Sequence, residues 1–417
     1  MFAATSRNIS AQQGNPSDRI TVGLIGTGRQ AIKINLRQLL NHPKVQVVSV
    51  CDVDSWRLQQ AKEAVDEFYG NSDCHATTDW REVIARDDID AIMNSTTDQW
   101  HVPISLEAVK RGKHVSCEKP LTLFVSEGRE LADAVAKAGV VFRTDTECRT
   151  NINMHRACEL VRNGLIGKIK KVKAGVPGDD KPGGNPAPMP VPEELDYETW
   201  VGPAQMFPYT VDRVHPRKGF GRPGWMRCLN TCEGMITNWG THLLDVAQLG
   251  LDRERTTPVE VEGSGTFPEP GSGLWDVLID FKLNYRYADG VELEYDISTP
   301  HVIFEGEDGW IRANWFPDVG RRQRGLEASD PAILETDMDS LDVRLPRRDD
   351  KDDFINSILT GEPTMIDAEI GHRTCSVGQI GHIAIALGRK LRFNPQSELF
   401  EGDDQANKML TKPPMEW

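Results

Sequence analysis

Residues 20–31 read Ile-Thr-Val-Gly-Leu-Ile-Gly-Thr-Gly-Arg-Gln-Ala. A short apolar run, Ile20 to Ile25, ends in the pattern GxGxxA from Gly26 to Ala31. Ile32, Leu36, Leu39 and Leu40 then recur at helical spacing. This order predicts a buried parallel strand, a tight turn and a helix. In such a turn the first glycine permits the reversal and the second lets backbone approach a pyrophosphate. The small third residue lets the helix pack on the strand. The free N–H groups and positive dipole end of the helix favour phosphate. Gly26, Thr27, Gly28, Arg29 and Gln30 are therefore candidate cofactor-binding residues.

The same grammar continues on the C-terminal side. Val45 to Cys51 reads as a second strand, and Leu58, Ala61, Val65 and Phe68 mark a second helix. Ala91 to Ser95, His114 to Cys117 and Val140 to Arg143 read as further strands, with helical segments at Ile104 to Arg111 and Ser126 to Ala138. This alternation predicts a doubly wound parallel sheet over residues 19–147. The second strand runs into Asp52, 26 residues past Gly26. A carboxylate there meets ribose hydroxyls and repels a 2′-phosphate, which favours NAD. Arg29 keeps NADP as the alternative, and Asp52 with Asp54 also fits a helix cap.

Beyond residue 148 the pattern changes to α+β. A helix is expected at Asn153 to Asn163 and a strand at Ile169 to Val176, followed by a Pro/Gly-rich surface arm through residue 192. After a helical segment at Thr241 to Gly250 come strands at Val259 to Gly265, Val277 to Tyr287, Val291 to Ile297 and Val302 to Phe304, with a turn at Ala288-Asp289-Gly290. These consecutive strands predict a large, mostly antiparallel open sheet. The stretch Pro317 to Asp342 is expected to be irregular, and helices are expected at Asp350 to Leu359 and Asp367 to Leu387. Residues 148–417 thus form a second domain with late helices and a tail, and residues 1–18 a disordered lead-in.

The chain has 417 residues, with 48 Lys plus Arg against 63 Asp plus Glu, a net charge of −15. That balance argues against nucleic acid or anionic membrane as partner, and no apolar run is long enough to span a bilayer. Eight cysteines without ligand spacing suggest buried thiols, a reducing compartment and no metal site. The lead-in lacks a cationic and an apolar segment, so the cytoplasm is expected; a removed signal segment would make it the periplasm.

His114-Val115-Ser116-Cys117-Glu118-Lys119-Pro120 puts a charged pair at the carboxyl end of a predicted strand, where ligands of doubly wound sheets bind. A lysine there suits stabilising a developing alkoxide, although such a tripeptide also fits a surface turn.

Together, GLIGTGRQA, SVCDVD, STTDQWH (Ser95 to His101) and RGKHVSCEKPL (Arg111 to Leu121) resemble the Gfo/Idh/MocA family of nicotinamide-dependent oxidoreductases. Asn238-Trp239-Gly240-Thr241-His242-Leu243-Leu244-Asp245 is similar to that family's D-x-G-x-H-x-x-D segment. Further similarity runs through Glu159 to Ile169, Trp200 to Tyr209, Tyr287 to Tyr295 and Gly381 to Pro395, and on to Trp417. The resemblance implies a Rossmann domain and an α/β domain whose sheet mediates a homo-oligomer, dimer or tetramer. It implies a carbohydrate substrate: a sugar, sugar acid, cyclitol or glycoside. It adds Thr96, Thr97, Trp100, His101, Glu118 and Lys119 to the cofactor site and makes Lys119, His242 and Asn238 the catalytic group. Taken alone, His242 also fits an ordinary helix histidine. Asn238 stands where the family carries aspartate, and Glu233 is a candidate to replace that carboxylate. Arg149, Tyr209, Arg213, His215 and Arg227 are candidate substrate residues, an arginine being suited to an acidic sugar. The leading expectation is an NAD-dependent dehydrogenase of a secondary alcohol. Alternatives are a glycosidase that uses NAD through transient oxidation, elimination and re-reduction, and a non-catalytic binding protein.

Overall fold

The computed structural model describes residues 19–178, 181–315 and 325–411. The lead-in 1–18, the start of the stretch expected to be irregular, and Trp417 lie outside the described residues.

Six strands form the first sheet: β1 (Ile20–Ile25), β2 (Val45–Cys51), β3 (His75–Thr77), β4 (Ala91–Asn94), β5 (His114–Glu118) and β6 (Phe142–Asp145). All pair in parallel, in the order β3-β2-β1-β4-β5-β6. The strand order reverses between β1 and β4, and that switch point opens a crevice at the carboxyl ends of the strands. Separate apolar clusters cover the two faces, one around Leu24, Leu36 and Val47, the other around Ile92, Val115 and Leu131. Two helices differ from expectation. The helix after the glycine turn opens as a π-helical turn, Ala31–Asn35, before its α-helical part, Leu36–Asn41. That wider turn carries Asn35, whose Nδ2 donates to Ser95 Oγ and Glu118 Oε1, both at 2.8 Å. The helix expected at Ile104 runs instead over Asp98–Lys110, with Pro103 inside it.

Nine strands form the second sheet: β7 (Ile169–Val176), β8 (Glu260–Thr266), β9 (Asp280–Arg286), β10 (Glu292–Ile297), β11 (His301–Gly306), β12 (Trp310–Asn314), β13 (Leu326–Ala328), β14 (Leu391–Asn394) and β15 (Leu399–Phe400). Their order is β13-β12-β11-β7-β10-β9-β8-β14-β15, antiparallel except for β7 with β10. The stretch expected to be irregular thus contributes β13 and a short helix, Pro331–Leu334. Along β9, Phe281, Leu283 and Tyr285 are buried while Lys282 and Asn284 are exposed, the alternation of a sheet covered on one face. Helices Ile152–Arg162, Gly240–Leu251 and Ala368–Leu387 cover that face. The opposite face carries cross-strand ion pairs such as Lys171 with Glu294 and Lys173 with Glu305.

Two long-range connections position the site. Helix Asp350–Thr360 returns from the C-terminal part, and its Phe354 and Ile355 join the core of the first sheet. The Pro/Gly-rich arm ends by docking on the β2 turn: Leu195 bridges Asp54, and Ser55 N donates to Glu194 O at 2.8 Å. Residues 195–225 are thereby laid over the end of β2.

Candidate active site

A cavity of about 630 Å³ follows the switch point from the glycine turn and Asp52, past Lys119, to His242. At one end, Gly26 has φ +84°, and a side chain there would run into the Ser95–Thr96 backbone at 2.6 Å. Gly28 lines the cavity, and nothing stands within 4 Å of where its side chain would begin. The first glycine is thus needed for the close turn, and the second leaves its cavity side open to a phosphate. Asp52 lines the same end. Its Oδ2 accepts from Thr27 N (2.7 Å) and Thr27 Oγ1 (3.0 Å), and its Oδ1 from Asp54 N (2.8 Å). A carboxylate has about four lone-pair sites, so capacity remains for ribose hydroxyls. Burial pushes the Asp52 carboxyl above the usual range, against the backbone N–H groups that favour its charge. Thr27 is buried and turned to Asp52, so it shapes this end without facing the cavity. Arg29, Gln30, Thr96, Thr97, Trp100, His101 and Glu118 all line the cavity. These residues fit NAD.

At the other end Lys119, Asn238 and His242 converge on one wall. Lys119 follows β5, while Asn238 ends the turn Met235–Asn238 and His242 lies in the first turn of Gly240–Leu251. Lys119 Nζ donates to Asn238 O at 2.9 Å and to Asn238 Oδ1 at 3.3 Å. His242 Nδ1 is buried without a hydrogen-bond partner, and the ring lies against Trp315 and Trp239, 5.2 and 6.0 Å between centroids. Burial, then the Lys119 charge, holds the imidazole well below its ordinary pKa. It is therefore neutral at neutral pH and able to accept a proton. Glu118 is pushed up to about 7 by burial and by Asp145, and His101 down to about 4 by burial.

Five expected substrate residues lie elsewhere. Arg149 is buried in an ion pair with Asp245, to which its Nε donates at 2.8 Å and its Nη2 at 2.5 Å. Tyr209 packs edge-on against Tyr197 in the small core of the docked arm. Arg213 stacks on Phe207 and Arg227 on Trp275, each 4.6 Å from the ring centroid. Glu233 accepts from His382 Nδ1 at 2.8 Å and does not line the cavity, so it does not stand in for the missing aspartate. His215 does line the cavity, but at the Asp52 end, where its Nε2 meets Asp54 Oδ2 at 3.0 Å. Asp98, Glu147, Arg222, Trp239 and Trp315, none of them expected from the sequence, also line the cavity. Asp98 stood inside the motif Ser95 to His101; Trp315 comes from the end of β12 and carried no local signal.

Known proteins agree with this architecture. Sequence models of one oxidoreductase family match twice: its NAD-binding Rossmann fold over residues 20–146 and its C-terminal alpha/beta domain over residues 182–417. D-glucoside 3-dehydrogenase of Escherichia coli (strain K12) is 30% identical over 168 residues, 39% of this chain and 46% of that protein. A glycosyl hydrolase family 109 protein of Saccharopolyspora erythraea is 30% identical over 155 residues, 36% of this chain and 34% of that protein. The chain thus spans less than half the length of these curated relatives. The crystal structure of GenD2 from gentamicin A biosynthesis, in complex with NAD, aligns with 92% of this chain and 99% of its own. Its TM-score is 0.65 at 18% identity, a likeness of fold.

Proposed function

The chain belongs to the Gfo/Idh/MocA oxidoreductase family, and from that premise we propose that it is an NAD-dependent oxidoreductase of a secondary alcohol on a sugar, cyclitol or glycoside. The observation that carries this reading is the convergence of Lys119 and His242 on the cavity that also contains the glycine turn and Asp52. Bound NAD supplies a hydride acceptor. The Gly26–Gly28 turn and Asp52 hold it, and the neutral 2′-hydroxyl is favoured over a 2′-phosphate beside that carboxylate. Lys119, tethered by Asn238, presents its ammonium to the substrate oxygen and stabilises charge as the O–H proton leaves. His242, neutral because it is buried beside a cation, accepts that proton. Trp239 and Trp315 wall the same end with apolar surface that suits the C–H face of a pyranose.

The test is formation of NADH from NAD across a panel of methyl glycosides, sugar acids and cyclitols. No NADH from any of them overturns the reading. Release of reducing sugar from aryl glycosides without net NADH would instead favour the glycosidase, the reading suggested by the family 109 relative. We extend the proposal to a homo-oligomer formed through the open face of the second sheet. Its ion-pair ladder makes such association salt-dependent, so sedimentation at low and high salt should differ.

A further inference from the structure

We propose that Asp98 is a substrate-contacting residue that donates a hydrogen bond to a sugar oxygen at the Lys119 end of the cavity; this rests on the carbohydrate reading above. Asp98 opens helix Asp98–Lys110, is 2% exposed, and lines the cavity. The Cys232 thiol hydrogen-bonds its carboxyl group, and Oδ2 has no hydrogen-bond partner. A buried polar atom left unsatisfied in a cavity calls for a partner from the ligand or solvent.

Each of the other carboxyl and amide groups near Lys119 has at least one partner, although Glu233 Oε2, which does not line the cavity, has none, and neither has His242 Nδ1. Asn238 Oδ1 accepts from Lys119 Nζ, and Glu233 accepts from His382. Glu118 accepts from Asn35 Nδ2 and Lys119 N. Asp145 is held by Ser116, Arg143 and Lys351. Asp98 thus offers an unpartnered carboxyl oxygen from the Rossmann side of the cavity, whose other side carries the Asn238 amide. Four neighbouring groups act on it: Cys232 and Lys119 favour its ionised form, while Glu233 and Glu118 oppose it. Burial outweighs them and pushes the carboxyl up to about 8, so it keeps its proton at neutral pH and donates. Sugar hydroxyls accept such a bond.

The experiment compares wild type, Asp98→Asn and Asp98→Ala as NADH complexes. Calorimetry reads binding of methyl β-D-glucopyranoside and myo-inositol, and steady-state assays follow whichever sugars turn over. Circular dichroism and thermal unfolding serve as the check on folding. Loss of one hydrogen bond predicts a rise of about five- to tenfold in sugar Kd or KM for Asp98→Ala, with kcat within about twofold. The amide of Asp98→Asn should restore most of that affinity. Wild-type KM should rise as pH passes about 8, where the donor is lost. The Asp98→Asn variant should lack this step, a difference that a merely structural role would not produce. Unchanged sugar affinity in Asp98→Ala, or the same pH step in Asp98→Asn, overturns the proposal. Sugar binding that weakens in Asp98→Ala without any turnover by wild type overturns the proposed reaction and supports the role of Asp98. Wild type that binds neither sugar overturns both.

Discussion

Lys119 is bonded twice to Asn238, through the backbone carbonyl at 2.9 Å and the side-chain oxygen at 3.3 Å. The amide orients the ammonium without neutralising it. The Lys119 charge therefore acts on His242 with no carboxylate at position 238 to offset it, and this chain differs electrostatically from a site with aspartate in the same place.

Removing either proposed reacting group should abolish turnover without unfolding the protein. Lys119→Ala and His242→Ala should each lower kcat about 10²–10⁴-fold. Circular dichroism and NADH titration should match wild type. Near-normal rates on an identified substrate would remove the altered residue from the mechanism.

Asp52 should set the choice of dinucleotide. Calorimetry should show NADH binding more tightly than NADPH to wild type, with the preference reduced in Asp52→Ala. Tighter NADPH binding by wild type would overturn this assignment.

Adding a carboxylate at Asn238 should move the proton acceptor. An anion beside His242 favours the imidazolium, so its pKa rises toward the ordinary value. The acidic limb of kcat/KM, where protonation disables the base, should then shift to higher pH in Asn238→Asp. Glu233→Gln should not shift it, because Glu233 is turned to His382. A limb that stays in place in Asn238→Asp, or moves in Glu233→Gln, would contradict this geometry.

Arg149 should matter for stability rather than substrate recognition. Arg149→Ala leaves Asp245, fully buried, without its bidentate partner. Breaking a buried pair from one side costs about 3–5 kcal/mol, which thermal or urea unfolding would register. A large rise in sugar KM at unchanged stability would return Arg149 to the site.

Much of the first domain is written in neighbouring residues. The strand, turn and helix around Gly26 need only local spacing: glycine where φ is positive, an open side at Gly28, and a small residue at Ala31. Asp52 is legible for the same reason, since it directly follows the next strand, β2. Lys119 follows β5 and His242 opens a helix, and the motifs carrying both were recognisable. The aim of side chains from distant segments was not. Arg149 and Glu233 have suitable chemistry, but Asp245 and His382, 96 and 149 residues away, satisfy them in the interior. Trp315 reaches His242 only because β12 pairs with β11 at one side of the second sheet. Helix Asp350–Thr360 crosses back to the first sheet because buried Asp350 and Asp353 meet Arg143 there. Backbone conformation follows from short-range sterics, whereas the partner of a buried charge is chosen by packing among residues far apart in the chain.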